Sequence, residues 1–182
     1  MDSVLLERAV RNSRRMALVF RAMAGLLILV AAGVVIWAWQ APDSLVGYLE
    51  ASVHPGGRIV SGYQLTGLVA LALVGLGLGF AGLRSFGRMF ECFAHAEPLN
   101  HDAARWMRRA GQWFLAATLF TVFMQVPASI IASFPNPPGE RFIAIGLNSN
   151  HLIGLLASMA LIAVARIQEL AALVHGEYRQ IV

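Results

Sequence analysis

The sequence contains no lysine, a single cysteine and few charged residues of either sign. Charged residues make up 13% of the 182 positions, whereas about a quarter is usual in a soluble domain. The lone cysteine, Cys92, excludes an intramolecular disulfide and a C-x-x-C metal site. Hydrophobic residues reach 58%, and the mean hydropathy is +0.65. This composition argues against an ordinary soluble domain, and the length fits a single membrane domain over residues 1–182.

Motifs for common enzyme chemistry are also missing. The sequence has no phosphate-binding loop, zinc-protease motif or hydrolase nucleophile motif. None of the five histidines falls near the middle of an apolar run, so paired haem ligands are not expected. No carboxylate lies in the middle of a run, which disfavours a proton-coupled transporter. We therefore predict a protein that is not an enzyme and needs no cofactor or metal.

Four apolar runs are candidates for membrane-spanning helices, each of which needs about 20 residues. Three of the predicted spans cover residues 22–39, 65–83 and 110–131. The first follows a long basic leader, so we predict a retained helix rather than a cleaved signal peptide. The fourth run has a clean apolar core only from Leu152 to Ala165. We extend it back to give a span at 145–165, because sliding it inward would bury Arg166.

The 14 basic residues are all arginine, and 12 of them lie on one side of the four runs. They fall in the N-terminal segment, the loop 84–109 and the C-terminal segment. Short loops rich in arginine stay in the cytoplasm. We therefore predict an all-α protein of the bacterial inner membrane with four transmembrane helices and both termini cytoplasmic. Because the arginines border apolar runs, we expect contact with the lipid bilayer and no direct contact with nucleic acid.

The loop between the second and third spans has a helical pattern. Four of its apolar residues share one helical face: Phe86, Met89, Phe90 and Phe93. Pro98 would end this helix, and Asn100 would cap a second one leading into span three. The pattern predicts an amphipathic cytoplasmic helical hairpin, which is either an anchor on anionic lipid or a docking face for a cytosolic protein. The predicted docking residues are Arg88, Glu91, Arg105, Arg108 and Arg109.

Span three carries an intramembrane polar face. Thr118, Thr121 and Gln125 recur at steps of three and four residues and should point into the bundle. Pro127 predicts a kink near the outer end of this helix. The polar face has two interpretations: hydrogen bonding between helices, or a path for a small solute.

Two further pairs suggest contacts. Gly75 and Gly79 form a G-x-x-x-G pair in span two, which allows a second backbone to approach closely. The approaching helix belongs either to the same chain or, as the alternative, to a second copy in a homo-oligomer. Glu169 follows Arg166 by three residues, and we expect these two to pair at the inner surface.

The central loop resembles a known family. Its residues 90–100, FECFAHAEPLN, and residues 103–111, AARWMRRAG, are similar to the bacterial membrane family called domain of unknown function 2975. The resemblance covers residues 16–180 and implies four spans with no established activity. Members are often encoded beside a small helix-turn-helix regulator, which implies a cytosolic transcriptional regulator as partner. The tail 177–182 is less acidic than the family pattern.

These observations favour a non-enzymatic regulatory membrane protein that docks a cytosolic partner through its inner loop. The first alternative is a small-solute carrier or channel that uses the polar face of span three. The others are a haem-carrying or enzyme subunit and an accessory subunit of a larger membrane complex.

Overall fold

The computed structural model describes residues 3–53, 62–94 and 101–181, with side chains over 7–48, 62–94 and 101–174. These described residues contain helices and no strand. The helices are α1 (Ser3–Gln40), α2 (Pro42–Val53), α3 (Gly62–Ala94), α4 (His101–Phe123), α5 (Gln125–Ser133) and α6 (Ser149–Ile181). The turn of the predicted hairpin, including Pro98 and Asn100, lies outside the described residues, so the hairpin stays a prediction.

Four helical stretches are long and apolar enough to cross a membrane. They are Glu7–Gln40, Gly62–Ala94, His101–Ser133 and Ser149–Val174. The prediction of an all-helical fold with four helices able to span a membrane is therefore confirmed for the described part of the chain. The predicted spans at 22–39, 65–83 and 110–131 fall inside α1, α3 and the pair α4–α5.

The long helices pack side by side in chain order. Helix α1 lies along α3, α3 along α4, and α4 along α6. Within the described ranges, no extensive contact joins α1 to α6 or α3 to α6. The bundle is therefore an open row with α1 and α6 at its edges. Many large apolar side chains on these edge helices are exposed, as expected where lipid covers a helix.

Helices α4 and α6 approach each other closely at small residues. Ala110 and Ala165 are fully buried, and so is Ser158. A Cβ added to Gly111 would lie 2.8 Å from Ile162 Cγ1 and 3.3 Å from the Ile162 backbone nitrogen. Only glycine therefore fits at residue 111 without moving the α6 backbone.

The G-x-x-x-G pair of α3 contacts two different helices of the same chain. A Cβ on Gly75 would lie 3.2 Å from the Phe120 ring of α4, and one on Gly79 would lie 3.5 Å from Leu27 of α1. Both glycines therefore pack within one chain, and a homo-oligomer stays a prediction.

The third span is interrupted at Met124, between α4 and α5. The backbone bonds on either side remain, with Met124 N donating to Phe120 O at 2.8 Å and Ala128 N to Met124 O at 3.1 Å. Pro127 has no N–H to donate to the carbonyl of Phe123, four residues earlier. The interruption agrees with the kink predicted at Pro127.

The helix of the fourth span begins at Ser149, which corrects the predicted start at residue 145. Asn148 caps it, because its Oδ1 accepts a hydrogen bond from the His151 backbone N–H at 3.0 Å. In return, the Asn148 N–H donates to His151 Nδ1 at 3.4 Å, as in a capping box. Residues 141–148 form a non-helical segment before this cap, which we call the strap.

Candidate functional site

All five predicted docking residues lie together at one end of the helix row. We call this the arginine end, and it comprises residues 84–94 of α3, residues 101–109 of α4, Phe20 and Arg21 of α1, and Arg166 to Glu169 of α6. Neighbouring helices are antiparallel: Leu27 and Phe20 of α1 lie beside Gly79 and Gly87 of α3, and Arg108 and Thr118 of α4 lie beside Glu169 and Gly154 of α6. The strap lies at the opposite end.

Stacked aromatic rings join α1 and α3 at the arginine end. The Phe20 ring lies 5.2 Å from the Phe86 ring and 5.4 Å from the Phe90 ring, nearly parallel to both. Phe93 meets Phe90 edge to face at 6.4 Å. The apolar face predicted on this stretch therefore packs in part against α1, and Phe20, which sequence reasoning missed, is its partner.

Glu91 lies between two arginines from different helices. It forms an ion pair with Arg21 of α1, and its other oxygen lies 3.8 Å from Arg88 Nη1. The Arg88 side chain is 52% exposed, whereas that of Glu91 is 24% exposed. The carboxylate is therefore the better shielded partner, and its pairing with Arg21 joins α1 to α3.

Glu169 pairs with a residue other than the one expected. Its Oε2 accepts a hydrogen bond from Arg108 Nη1 at 3.1 Å, so the ion pair joins α4 to α6. The expected partner, Arg166, is on the same helix. The Glu169 side chain is only 16% exposed and that of Arg108 is 40% exposed. An arginine from the facing helix therefore neutralises a carboxylate that packing has largely removed from water.

The two other docking residues have local partners. Arg105 Nη1 lies 3.7 Å from Asp102, three residues earlier on the same helix. The Arg109 guanidinium lies over the Trp106 ring at 4.9 Å from its centroid, a cation–π distance. All five predicted docking residues thus have a partner within the chain, and both arginines remain exposed.

The structure separates the polar face of span three into two parts. The Thr118 hydroxyl donates to Phe114 O at 2.9 Å, and a Cβ on Gly154 of α6 would lie 2.8 Å from it, so Thr118 faces α6. The Thr121 hydroxyl donates to Thr118 O at 2.7 Å. Thr121 and Gln125 line a groove to which neither Thr118 nor any residue of α6 contributes. The three side chains do not form one continuous path.

Gln125 and two serines of α5 hold the strap. The Gln125 amide donates to Gly146 O at 2.8 Å and accepts from Gly146 N. Ser129 Oγ accepts from Ala144 N at 3.0 Å, and Ser133 Oγ donates to Phe142 O at 3.1 Å.

The spacing of the bonding positions along the strap matches their spacing along α5. The bonding positions on the strap are two residues apart, and those on the helix are four residues apart. Two extended residues advance about 6.6 Å and four helical residues about 6 Å, so the successive bonds stay in register. This register explains why the strap is not helical, since a helix here would leave the α5 side chains without these partners.

A groove of about 1000 Å³ lies between α1, α3, α4–α5 and the strap. Its walls are mostly apolar, with Val34, Leu71 and Ile143 among them, and Thr121, Gln125 and Ser129 are its polar members. All three polar side chains are hydrogen-bonded within the chain. The groove therefore offers an apolar volume and few groups that are free to bind a polar solute.

No family model matches this sequence, and no significant match was found among curated proteins or solved structures. The relationship to the family named from the central loop therefore stays a prediction. Among the described side chains, no group of three His, Cys, Asp or Glu residues is placed to hold a metal ion.

Proposed function

We propose that this chain is a non-enzymatic regulatory protein of a bacterial inner membrane, with its arginine end in the cytoplasm, where it docks a cytosolic partner. The observation that carries the proposal is the set of charged side chains held in place at one end of the row yet still open to solvent. The arginine distribution of the sequence favours the cytoplasmic side for this end.

The arrangement suits docking because its charged groups are already ordered. Arg88 and Arg105 are about half exposed, with 52% and 48% of each side chain accessible. Each is held near a carboxylate of its own helix, so less side-chain entropy is lost when a partner binds. Exposed guanidinium groups favour a partner with an acidic surface and speed its association.

The interhelical ion pairs link docking to the packing of the helices. Arg21–Glu91 joins α1 to α3, and Arg108–Glu169 joins α4 to α6. An acidic partner that takes Arg108 would weaken its pairing with Glu169 and so favour a looser α4–α6 contact. By the same linkage, a change in helix packing would alter the affinity for the partner. We propose a helix-turn-helix transcriptional regulator as this partner, following the resemblance of the central loop.

The test is co-purification in mild detergent with the helix-turn-helix regulators encoded beside the gene. The variant Arg88→Gln/Arg105→Gln removes two exposed charges and leaves both interhelical ion pairs intact. We expect this variant to bind the regulator several-fold more weakly than wild type, and more weakly still at high salt. The control Arg141→Gln changes an arginine at the opposite end and should bind normally. Equal binding by both variants would contradict the docking proposal.

The orientation has a separate test. A reporter protein that is active only outside the cytoplasm, inserted after Ala94, should be inactive, and the same reporter inserted after Gly139 should be active. The reverse result would place the arginine end outside the cell and remove the regulatory proposal. A membrane protein as the co-purifying partner would instead support an accessory subunit of a larger complex.

The groove of about 1000 Å³ favours a second candidate, a small-solute carrier or channel. Thr121→Leu adds bulk to the groove and leaves the Gln125 bonds to the strap in place. A carrier should lose flux in liposomes with this variant, while Thr66→Leu, outside the groove, should not. Absence of flux with the wild-type protein across a panel of solutes would remove this candidate.

A further inference from the structure

A cavity of about 570 Å³ opens between α3 and α4 at the arginine end. Arg84 lines it from α3, and Arg109 lines it from α4. Trp106 and Trp113 also line it, together with the side-chain amide of Gln112. The cavity therefore combines two cations, a hydrogen-bonding amide and a broad apolar wall.

The two arginines of this cavity differ in their ion-pair partners from four other arginines at the arginine end. Those four each lie within ion-pair distance of a carboxylate: Arg21, Arg88, Arg105 and Arg108. Over the described ranges, no carboxylate forms an ion pair with Arg84 or Arg109. The cavity thus brings together two cations whose charge the described part of the chain does not neutralise.

The two neighbouring helix pairs are joined by ion pairs that α3 and α4 lack among the described residues. Opposite charges join α1 to α3 through Arg21–Glu91, and α4 to α6 through Arg108–Glu169. The middle pair, α3 and α4, presents an arginine from each side at the cavity. Like charges repel, and an anion between them would turn this repulsion into attraction.

The level of the cavity along the helices indicates the kind of anion. Arg84 directly follows the apolar run 65–83, and Arg109 directly precedes the run 110–131. Both therefore lie at the boundary of the hydrocarbon region, where lipid phosphates are found. Toward the middle of the spans, the cavity continues along Ala81 and Ala116.

We propose that this cavity binds one anionic glycerophospholipid. Its phosphate lies between the Arg84 and Arg109 guanidinium groups, Gln112 donates to the headgroup or ester oxygens, and an acyl chain follows Ala81 and Ala116. Basic pockets between transmembrane helices are known to hold anionic headgroups. The lipid acts as the bridge between α3 and α4 that ion pairs provide for the two other helix pairs. This site goes beyond the proposed docking function and does not depend on it.

The test is native mass spectrometry of the full chain released from nanodiscs that contain equal amounts of phosphatidylglycerol and phosphatidylcholine. We expect wild type to retain one phosphatidylglycerol. The variant Arg84→Gln/Arg109→Gln should retain it about 30-fold less well, since each arginine near a membrane surface contributes roughly fivefold. The control Arg15→Gln/Arg166→Gln makes the same charge change outside the cavity and should retain the lipid. If the double variant does not fold, Arg109→Gln alone should show the fivefold loss.

Three results would overturn the proposal. The first is equal retention of phosphatidylglycerol by wild type and the cavity variant, and the second is equal retention of phosphatidylcholine and phosphatidylglycerol by wild type. The third is release of the lipid by millimolar inorganic phosphate, which would point to a site for free phosphate. Arg84→Lys/Arg109→Lys keeps the charge, so it should retain more lipid than the glutamine variant. A docking failure in the co-purification experiment would leave these results unaffected, because its variant keeps both cavity arginines.

Discussion

At the arginine end, ion pairs between side chains join neighbouring helices, whereas at the strap end neutral side chains bond to the backbone. Arg108 and Glu169 form such an ion pair between α4 and α6. At the other end, the buried Gln64 of α3 donates to Ile131 O of α5 at 2.6 Å, and Gln125 bonds to both polar backbone groups of Gly146. The same row of helices is therefore held by two kinds of interaction.

The difference shows which end is able to respond to its surroundings. An exposed ion pair weakens with salt and exchanges with charges on a partner. A neutral side chain bonded to backbone carries no net charge, so salt screens it little and a charged partner does not exchange with it. We therefore expect the arginine end to vary with conditions and the strap end to stay constant.

The largest effect should come from Gly111→Leu, between the two ends. A side chain here meets the Ile162 backbone as well as its side chain, so α4 and α6 must separate. We expect a loss of about 3 kcal/mol in the free energy of unfolding in detergent. In the control Gly77→Leu, the added Cβ has nothing within 4 Å, so stability should stay equal or rise slightly. Equal losses in the two variants would mean that α4 and α6 are not in close contact.

Gln125→Leu should have the next largest effect and tests the strap end. It leaves the N–H and C=O of Gly146 without their partner, at a cost of about 2 kcal/mol. Hydrogen exchange at Gly146 should become faster, and the loss should not change with salt. Thr66→Val, which removes only a bond within its own helix, is the matched control. Unchanged exchange at Gly146 would show that Gln125 does not hold the strap.

Arg108→Gln tests the arginine end, with an expected loss on the order of 1 kcal/mol because Glu169 keeps its charge in a shielded position. The double variant Arg108→Gln/Glu169→Gln should recover most of this loss, since two neutral amides still form a hydrogen bond. The loss in unfolding free energy caused by Arg108→Gln should be smaller at high salt than at low salt. A cost that is independent of salt would remove the contrast between the two ends.

Arg105→Gln should have the smallest effect. Its ion pair with Asp102 is exposed and lies within one helix. We therefore expect a loss of less than about 0.5 kcal/mol in the free energy of unfolding, measured by thermal unfolding. A loss as large as that of Arg108→Gln would show that pairing within a helix matters as much as pairing between helices.

Sequence reasoning predicted the spanning helices and missed the strap. The runs 22–39, 65–83 and 110–131 are apolar over whole turns, and such runs become helices in lipid whatever their neighbours are. Residues 141–148 alternate instead: Ile143, Ile145 and Leu147 are exposed, and the residues between them bond to α5. Asn148 is a residue type that favours helix caps, but the predicted span began at 145 and therefore included it. Ala144 and Gly146 bond to residues of α5 that lie 15 or more positions away in the sequence, so no local pattern revealed these partners.

The sequence predicted which residues form the candidate site but not their ion-pair partners. Arg88, Glu91, Arg105, Arg108 and Arg109 were singled out because they lie in one polar loop. The interhelical partners, Arg21 and Glu169, lie in segments remote in the sequence, and the nearest opposite charge along the chain wrongly suggested Arg166 for Glu169.

The sequence by itself determined that four helices form and which of their ends carry the arginines, because hydrophobicity and charge act on each segment separately. Only the tertiary structure decided that the helices form an open row, that Arg108 neutralises Glu169, and that Arg84 and Arg109 line one cavity without an ion-pair partner among the described residues. These features depend on which helix lies beside which and at what level. That arrangement follows from close contacts at residues such as Gly111, whose fit is set by the facing backbone.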